Sequence, residues 1–194
     1  ARRSAPVWIN LEYLSAEPYV ERSHGLPSPQ SGGPGAGLLK WFFYPGFTAY
    51  TGGLIREQGL LQRRQAFDAA EWLRSRSIAR RPGERVVSLF CYENPALPAL
   101  LAALADTPTL LLATVGHASR QVATALGASM ARGALRAVTL PHLSQLDFDH
   151  LLWSADLNLV RGEDSFVRAQ WAGVPFLWHA YPQHDGAHQA KLDA

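Results

Sequence analysis

One short run of residues has the types and spacing to hold a charged ligand. Residues 157–160 are typical of a short buried strand, and Gly162 allows a sharp turn after it. Glu163, Asp164 and Ser165 are good first-turn or capping residues for a helix that follows. A strand, a tight turn and a helix N-terminus bind phosphate in open α/β sheets, because free N–H groups and the helix dipole point at the ligand. An ordinary, well-capped turn between a strand and a helix explains the same pattern, and the local sequence alone does not separate the two interpretations.

The two carboxylates at this helix start require a positive partner. Glu163 and Asp164 would repel a diphosphate if they pointed at it. The two carboxylates are compatible with a bound diphosphate if the backbone N–H groups and the Ser165 hydroxyl face the phosphates and one carboxylate points away from them. A glycosyl-transfer transition state provides such a partner, because the sugar becomes similar to an oxocarbenium ion. A cationic acceptor would provide one too.

The elements that must position this run alternate regularly after residue 82. The predicted strands cover residues 86–92, 109–115, 136–140, 157–160 and 176–179. Helices are predicted over residues 95–105, 118–132, 146–154 and from 163 onward, with a last one from about residue 184. This alternation predicts a parallel, doubly wound sheet, which binds ligands outside the C-terminal ends of its strands. The candidate residues at those ends are Phe90, Tyr92, Glu93, Gly116, His117, Pro141, His142, Gln145, Arg161 to Ser165, His179, Tyr181, Gln183 and Asp185.

The first part of the chain is less regular. Strands are predicted over residues 7–13 and 39–44, and helices over 14–20 and 60–77. A Pro-rich loop is predicted at residues 24–29. The sequence Arg-Arg-Pro-Gly at residues 80–83 breaks the chain, which predicts a domain of residues 1–82 and a second of residues 83–194.

Composition excludes several classes of protein. An apolar content of 47% supports a large core, and a formal net charge of +2 argues against a nucleic-acid surface. Cys91 is the single cysteine, which excludes an internal disulfide and favours a reducing, cytoplasmic location. The longest apolar run, residues 97–105, falls short of the ~20 residues of a membrane span. The chain opens with no signal-peptide pattern and no initiator Met, which indicates a fragment of a longer protein.

Several catalytic motifs are missing from the sequence. It has no G-x-G-x-x-G after a strand, no G-x-x-x-x-G-K-[ST] and no G-x-S-x-G. These absences argue against dinucleotide dehydrogenases, P-loop NTPases and hydrolases with a serine nucleophile. His184, Asp185 and His188 could share a helical face near His179, but their spacing matches no strong metal signature, so no metal is expected.

Longer motifs resemble one family. They are WINLEYLSAE at residues 8–17, HGLPS at 24–28, FYPGF at 43–47, FCYEN at 90–94, RGEDSFVRAQWAG at 161–173 and YPQ at 181–183. In these motifs the chain resembles the bacterial elongation factor P arginine rhamnosyltransferases, the EarP family, over essentially all 194 residues.

The resemblance implies a GT-B fold, with two Rossmann-like domains facing across a cleft and the first domain incomplete in this chain. It implies an inverting, metal-independent transfer of rhamnose from TDP-β-L-rhamnose to an arginine of elongation factor P, without a cofactor. The second domain would hold the nucleotide sugar, and the first would meet the acceptor protein. No nucleic-acid or membrane partner is implied.

The resemblance also implies roles for particular residues. Phe90, Tyr92 and Phe148 would line the thymine pocket, Gln145 would hold the nucleoside, and Asp164, Ser165 and Tyr181 would meet the ribose and diphosphate. Glu163 would be the essential carboxylate near the reacting carbon. Two differences stand out: the family's N-terminal, aspartate-containing glycine-rich loop is missing here, and His142 stands where a Phe is expected against the thymine. Two alternatives stay open: another GT-B nucleotide-sugar enzyme, such as a glycosyltransferase or an epimerase, or a non-catalytic fragment that binds a TDP-sugar or a protein.

Overall fold

The chain consists of two compact α/β units. A computed structural model describes residues 6–181, 189, 192 and 193. Of the described residues, 6–55 belong to one unit and 56–181 form the other. Each described unit has its own sheet.

The first unit holds a three-stranded sheet and a short helix. Its strands are β1 (Trp8–Leu11), β2 (Pro27–Pro29) and β3 (Leu39–Phe43), and its helix is α1 (Tyr19–Ser23). The order is β1-β3-β2, with β1 parallel and β2 antiparallel to β3. The strands predicted at residues 7–13 and 39–44 are confirmed, whereas the helix lies several residues later than predicted.

The Pro-rich segment of the first unit is a strand, not the predicted loop. Pro27 and Pro29 flank Ser28 in β2, which pairs only with β3 among the described strands of this sheet. Prolines lack the N–H that a central strand needs, but an edge strand leaves one side unpaired and accepts them.

The second unit contains a six-stranded sheet. Its strands are β4 (Arg85–Leu89), β5 (Thr109–Ala113), β6 (Ala131–Arg132), β7 (Leu135–Thr139), β8 (Leu157–Arg161) and β9 (Phe176–His179). The order is β6-β7-β5-β4-β8-β9, and every pair is parallel except β6 with β7. The predicted parallel sheet is therefore confirmed, with one antiparallel edge strand added.

Six helices of the second unit accompany this sheet among the described residues. They are α2 (Leu60–Gln65), α3 (Ala69–Ser75), α4 (Leu97–Leu104), α5 (His117–Leu126), α6 (Gln145–Ser154) and α7 (Gly162–Ala172). The single helix predicted over residues 60–77 is two, because the Asp68 side chain accepts a hydrogen bond from the Glu71 N–H at 3.0 Å and caps α3. The helix predicted over 118–132 ends at Leu126, because Gly127 adopts a positive φ of 65°.

Helices cover both faces of the sheet in the second unit. Leu101 of α4 and Val122 of α5 belong to the core on one face, with Val87 of β4. Leu73 of α3 and Leu151 of α6 belong to the core on the other. Both faces are buried, which accounts for the continuous apolar runs in β4 and β5.

The division between the units differs from the boundary predicted after residue 82. Trp72, Leu73 and Ile78 are buried in a core cluster together with Val86 of β4. Helix α3 therefore packs on the sheet of the second unit, and the compact units separate between residues 55 and 56.

The strand order places a topological switch point between β4 and β8. From β4 the chain proceeds through β5 to β7 on one side, and then returns to add β8 and β9 on the other. Open α/β sheets bind ligands at the C-terminal ends of the strands that flank such a point. Beneath it, the Ser88 hydroxyl donates to the Asn158 side-chain carbonyl at 2.5 Å and joins the two strands. Among the described residues, no helix has the length and apolar character needed to cross a membrane.

Candidate functional site

A pocket of about 410 Å³ opens at this switch point. It lies beyond the C-terminal ends of four neighbouring strands, β7, β5, β4 and β8. Its lining residues are Phe90, Thr114, Val115, Pro141, His142, Leu143, Ser144, Gln145, Phe148, Arg161, Asp164, Ser165 and Arg168. Five residues predicted to hold a nucleotide sugar, namely Phe90, Gln145, Phe148, Asp164 and Ser165, therefore lie around one cavity.

One wall of the pocket is aromatic. The rings of Phe90 and Phe148 meet edge to face, with centroids 5.4 Å apart and planes at 69°. Phe148 lies on α6 and also packs against two core clusters, which restricts its rotation. Leu143 and Pro141 extend the apolar surface. This wall suits a flat, partly apolar group such as a nucleobase.

Arg161 places a cation beside that wall. Its guanidinium carbon lies 4.4 Å from the Phe90 ring centroid and 4.3 Å from the Tyr92 centroid, so it is held by cation–π contacts. Its Nε atom is buried and has no hydrogen-bond partner among the described residues. The sequence analysis included Arg161 among the strand-end candidates but gave it no role. The available signal was its position at the end of the strand, directly before the turn at Gly162.

The turn between β8 and α7 is held from several directions. Gly162 has a φ of 67°, and a Cβ at this position would lie 3.1 Å from the Tyr92 hydroxyl. The Trp178 indole Nε1 donates to the Gly162 carbonyl at 2.8 Å. The buried Ser165 hydroxyl accepts from the Arg161 N–H at 3.1 Å and donates to the Arg161 carbonyl. The Ser165 side chain thus secures the turn itself.

The two carboxylates lie in the first turn of α7. Asp164 is exposed and lines the pocket, whereas Glu163 is half-buried. Negative charge is favourable at this end of a helix because of the helix dipole. A capping contribution and a catalytic role therefore remain compatible with the placement of Glu163.

A second aromatic group lies next to the pocket. Among the described residues, the pocket walls do not include Tyr92, Glu163 or Tyr181. The Tyr92 ring instead contacts the rings of Tyr181 at 5.4 Å and His179 at 5.3 Å, and it shares the Arg161 guanidinium with Phe90. Burial, followed by the charge of Arg161, lowers the pKa of His179, which favours a neutral imidazole at pH 7.

An ion-pair network is centred on Arg168, a buried residue that lines the pocket. Arg168 of α7 donates from Nε to Asp149 of α6 at 2.7 Å, and a second bond joins its Nη2 to the same carboxylate. Its Nη1 donates to Glu57 at 2.5 Å. Burial acts to lower the pKa of Arg168, but its hydrogen bonds to Asp149 and Glu57 outweigh this effect and raise that pKa above its usual value. The hydrogen bond from Arg168 in turn lowers the pKa of Glu57.

The sequence analysis missed this network. Arg168 and Asp149 are both nearly fully buried, at 8% and 3% exposure, although charged residues on helices are usually solvated. Their pairing joins α7, which carries Asp164 and Ser165, to α6, which carries Gln145 and Phe148. The network therefore fixes two walls of the pocket relative to each other.

His184, Asp185 and His188, which could share a helical face near His179, lie outside the residues that the structure describes. Among the described residues, no group of three or more His, Cys, Asp and Glu side chains is placed to hold a metal ion.

Comparison with known proteins identifies the family. The model of the elongation factor P (EF-P) rhamnosyltransferase EarP matches residues 1–194, which is the whole chain. The chain belongs to the EarP family. The resemblance noted in the sequence motifs is therefore confirmed.

Curated EarP-family relatives carry a common name. A protein-arginine rhamnosyltransferase of Pseudomonas aeruginosa is 50% identical over 207 residues, and one of Pseudomonas putida is 51% identical over 208 residues. One of Neisseria meningitidis is 40% identical over 205 residues. Each match covers 100% of this chain but only 52–54% of the relative. The chain thus spans about half the length of the curated EarP-family relatives it matches.

A solved structure also matches. It comes from work on the structural basis for EarP-mediated arginine glycosylation of translation elongation factor EF-P, with 45% identity and a TM-score of 0.68. The match covers 77% of this chain and 52% of that one. Together with the two α/β units, it confirms the predicted GT-B fold class for this EarP-family chain.

Proposed function

We propose that this chain is part of an inverting glycosyltransferase that transfers rhamnose from TDP-β-L-rhamnose to an arginine side chain of translation elongation factor P. The observation that carries the proposal is the pocket at the switch point, which gathers five residues of the expected donor site in a member of the EarP family. The names of the relatives supply the sugar and the acceptor residue type.

The thymine of the donor would lie against the aromatic wall. Phe90 and Phe148 offer ring edges and faces, and Leu143 provides an apolar surface for the thymine methyl group. Gln145 lies at the start of α6 and lines the same cavity, and its side-chain amide would bond the polar edge of the base. Tyr92 and Tyr181 would extend this surface beside the pocket.

The diphosphate would face the start of α7. The first N–H groups of that helix and the Arg161 guanidinium together offset its charge, and the buried Nε of Arg161 has a hydrogen bond to give. Ser165 holds the turn in place through the Arg161 backbone. Asp164 would accept from the ribose hydroxyl, so that its charge does not face the phosphates.

The reaction needs both a leaving-group site and a base. A nitrogen of the acceptor arginine forms a bond to the anomeric carbon as the bond from that carbon to the diphosphate oxygen breaks, and TDP leaves with the electron pair. Attack opposite the leaving group inverts the anomeric centre. The acceptor guanidinium is protonated at any physiological pH, so a carboxylate base of the full-length enzyme has to take one proton from the attacking nitrogen as its bond to the sugar forms. Glu163 would hold the guanidinium and stabilise the positive charge on the sugar.

We expect TDP to bind more tightly than deoxyuridine diphosphate, which lacks only the thymine methyl. An apolar pocket discriminates one methyl group by about 10- to 200-fold. Isothermal titration of the chain with the two nucleotides measures this ratio. Phe148→Leu should weaken TDP binding, whereas Phe67→Leu, a matched change outside the pocket walls, should leave it intact. Equal affinities for the two nucleotides would contradict the thymine site, and His142 would be the first residue to re-examine.

The transfer itself is tested by mass spectrometry of elongation factor P. The full-length enzyme that carries this sequence should add one rhamnosyl group when supplied with TDP-rhamnose, without added metal or cofactor. A panel of other sugar nucleotides separates the proposal from another GT-B activity, and no transfer by the full-length enzyme would contradict it. Independence from metals and cofactors, and a cytoplasmic location, stay predictions.

A further inference from the structure

We propose that Trp178 is a positioning residue, which sets the place of Glu163 and of the helix start through one hydrogen bond. Its effect on turnover rests on the proposed function, while its effect on the backbone does not. The bond runs from the Trp178 indole Nε1 to the Gly162 carbonyl, at 2.8 Å. It joins β9 to the first turn of α7.

The indole is itself held firmly. Its ring stacks on Phe166 of α7, with centroids 4.1 Å apart and planes at 26°. It also packs against a core cluster that contains Val160, its register partner in β8, and Ala169. A donor fixed by both sheet and helix can hold an acceptor in one place, because its own rotamer freedom is small.

The acceptor is the peptide unit that leads into Glu163. A peptide group is planar, so fixing the Gly162 carbonyl also fixes the N–H and the Cα of Glu163. Gly162 has no side chain and a φ of 67°, so its own conformation restrains this peptide weakly. On the other side, the Tyr92 hydroxyl lies 3.1 Å from the position of a Gly162 Cβ.

The bond also fastens the helix start to the sheet. A carbonyl oxygen has two lone pairs, and in the first turn of α7 one of them is directed along the helix. The Trp178 indole N–H, on β9, approaches the same Gly162 oxygen from the side of the sheet. The Glu163 N–H belongs to the first turn of α7, which we propose faces the diphosphate. Trp178 therefore sets the positions of this N–H and of the Glu163 Cα that carries the side chain.

Trp178→Phe tests the role, because it keeps an aromatic ring beside Phe166 while it removes the N–H donor and part of the indole. In the full-length enzyme we expect the turnover number of the folded protein to fall about three- to tenfold, the usual effect of one lost hydrogen bond. The KM for elongation factor P should change by less than about twofold. Trp171→Phe, the same change later on α7, serves as the control and should leave turnover unchanged. A purely structural role for Trp178 would lower the melting temperature and leave the turnover of the folded protein normal.

Amide hydrogen exchange without any substrate provides the second readout. Exchange at residues 165–168, the first amides of α7 with acceptors within the helix, should accelerate about three- to tenfold in Trp178→Phe and stay unchanged in Trp171→Phe. Unchanged exchange, or unchanged turnover in an active enzyme, would overturn the inference. A wild-type enzyme that transfers no rhamnose would contradict the proposed function instead, and the exchange result would then decide the role of Trp178.

Discussion

Glu163→Gln in the full-length enzyme is expected to lower kcat by about 100-fold or more, because it removes a charge that we propose faces the reacting centre. The substitution keeps the size of the side chain and most of its hydrogen bonding. We therefore expect the protein to fold and to bind TDP-rhamnose with near-normal affinity. Steady-state kinetics with elongation factor P as the acceptor measures kcat, and calorimetry measures donor binding.

Glu71→Gln is the matched control for this substitution. Glu71 also lies in the first turn of a helix, α3, where it is exposed and pairs with Arg74 at 2.6 Å. Turnover should be normal in this variant. If Glu163 only caps α7, its substitution would cost about 1 kcal/mol of stability and nothing in kcat. Near-normal turnover with a lowered melting temperature would thus refute the catalytic role.

Arg168→Met is expected to lower the free energy of unfolding by about 3–5 kcal/mol, because it leaves the buried Asp149 carboxylate without its partner. Urea unfolding at neutral pH measures this loss. The double substitution Arg168→Met with Asp149→Leu removes both buried charges and should recover much of the stability. Glu57, which is half exposed, would then be hydrated.

The double substitution distinguishes a paired charge from mere packing. If Arg168 contributes only through its volume and its methylene groups, then Arg168→Met would cost less than about 1 kcal/mol and the second substitution would add to the loss. Recovery in the double variant instead identifies the unpaired carboxylate as the cause. The same cycle shows whether the pocket tolerates loss of the link between α6 and α7, since TDP affinity can be measured in each variant.

The sheet of the second unit could be predicted from the sequence because both of its faces are buried. Strands such as β5 are apolar almost throughout, and glycine and proline residues occur in the segments between the strands. The alternation of strands and helices also predicted which residues lie at the C-terminal edge of the sheet. Phe90, Gln145 and Asp164 were among them, and they lie around one pocket. Their roles toward a ligand stay predictions.

Other features depend on contacts between distant residues and leave no local pattern. The pair of Arg168 with Asp149 joins two helices, and each residue alone has the character of a solvated helix position. The bond from Trp178 to Gly162 depends on how β9 aligns with β8, which periodicity does not fix. The break between α2 and α3 did have a local signal, since Asp68 followed by Glu71 marks a helix start, but the apolar spacing across it concealed the break.

The central claim is that the nucleotide binds at the switch point of the second unit, and a TDP titration followed by backbone NMR tests it most directly. Signals of Gln145, of residues 163–165 and of Arg161 should shift or broaden saturably, because these residues surround the pocket or the helix start. Phe148→Leu should weaken the response at all of them together. Shifts confined to residues 6–55, with the signals around Gln145 and Asp164 unchanged, would contradict the account.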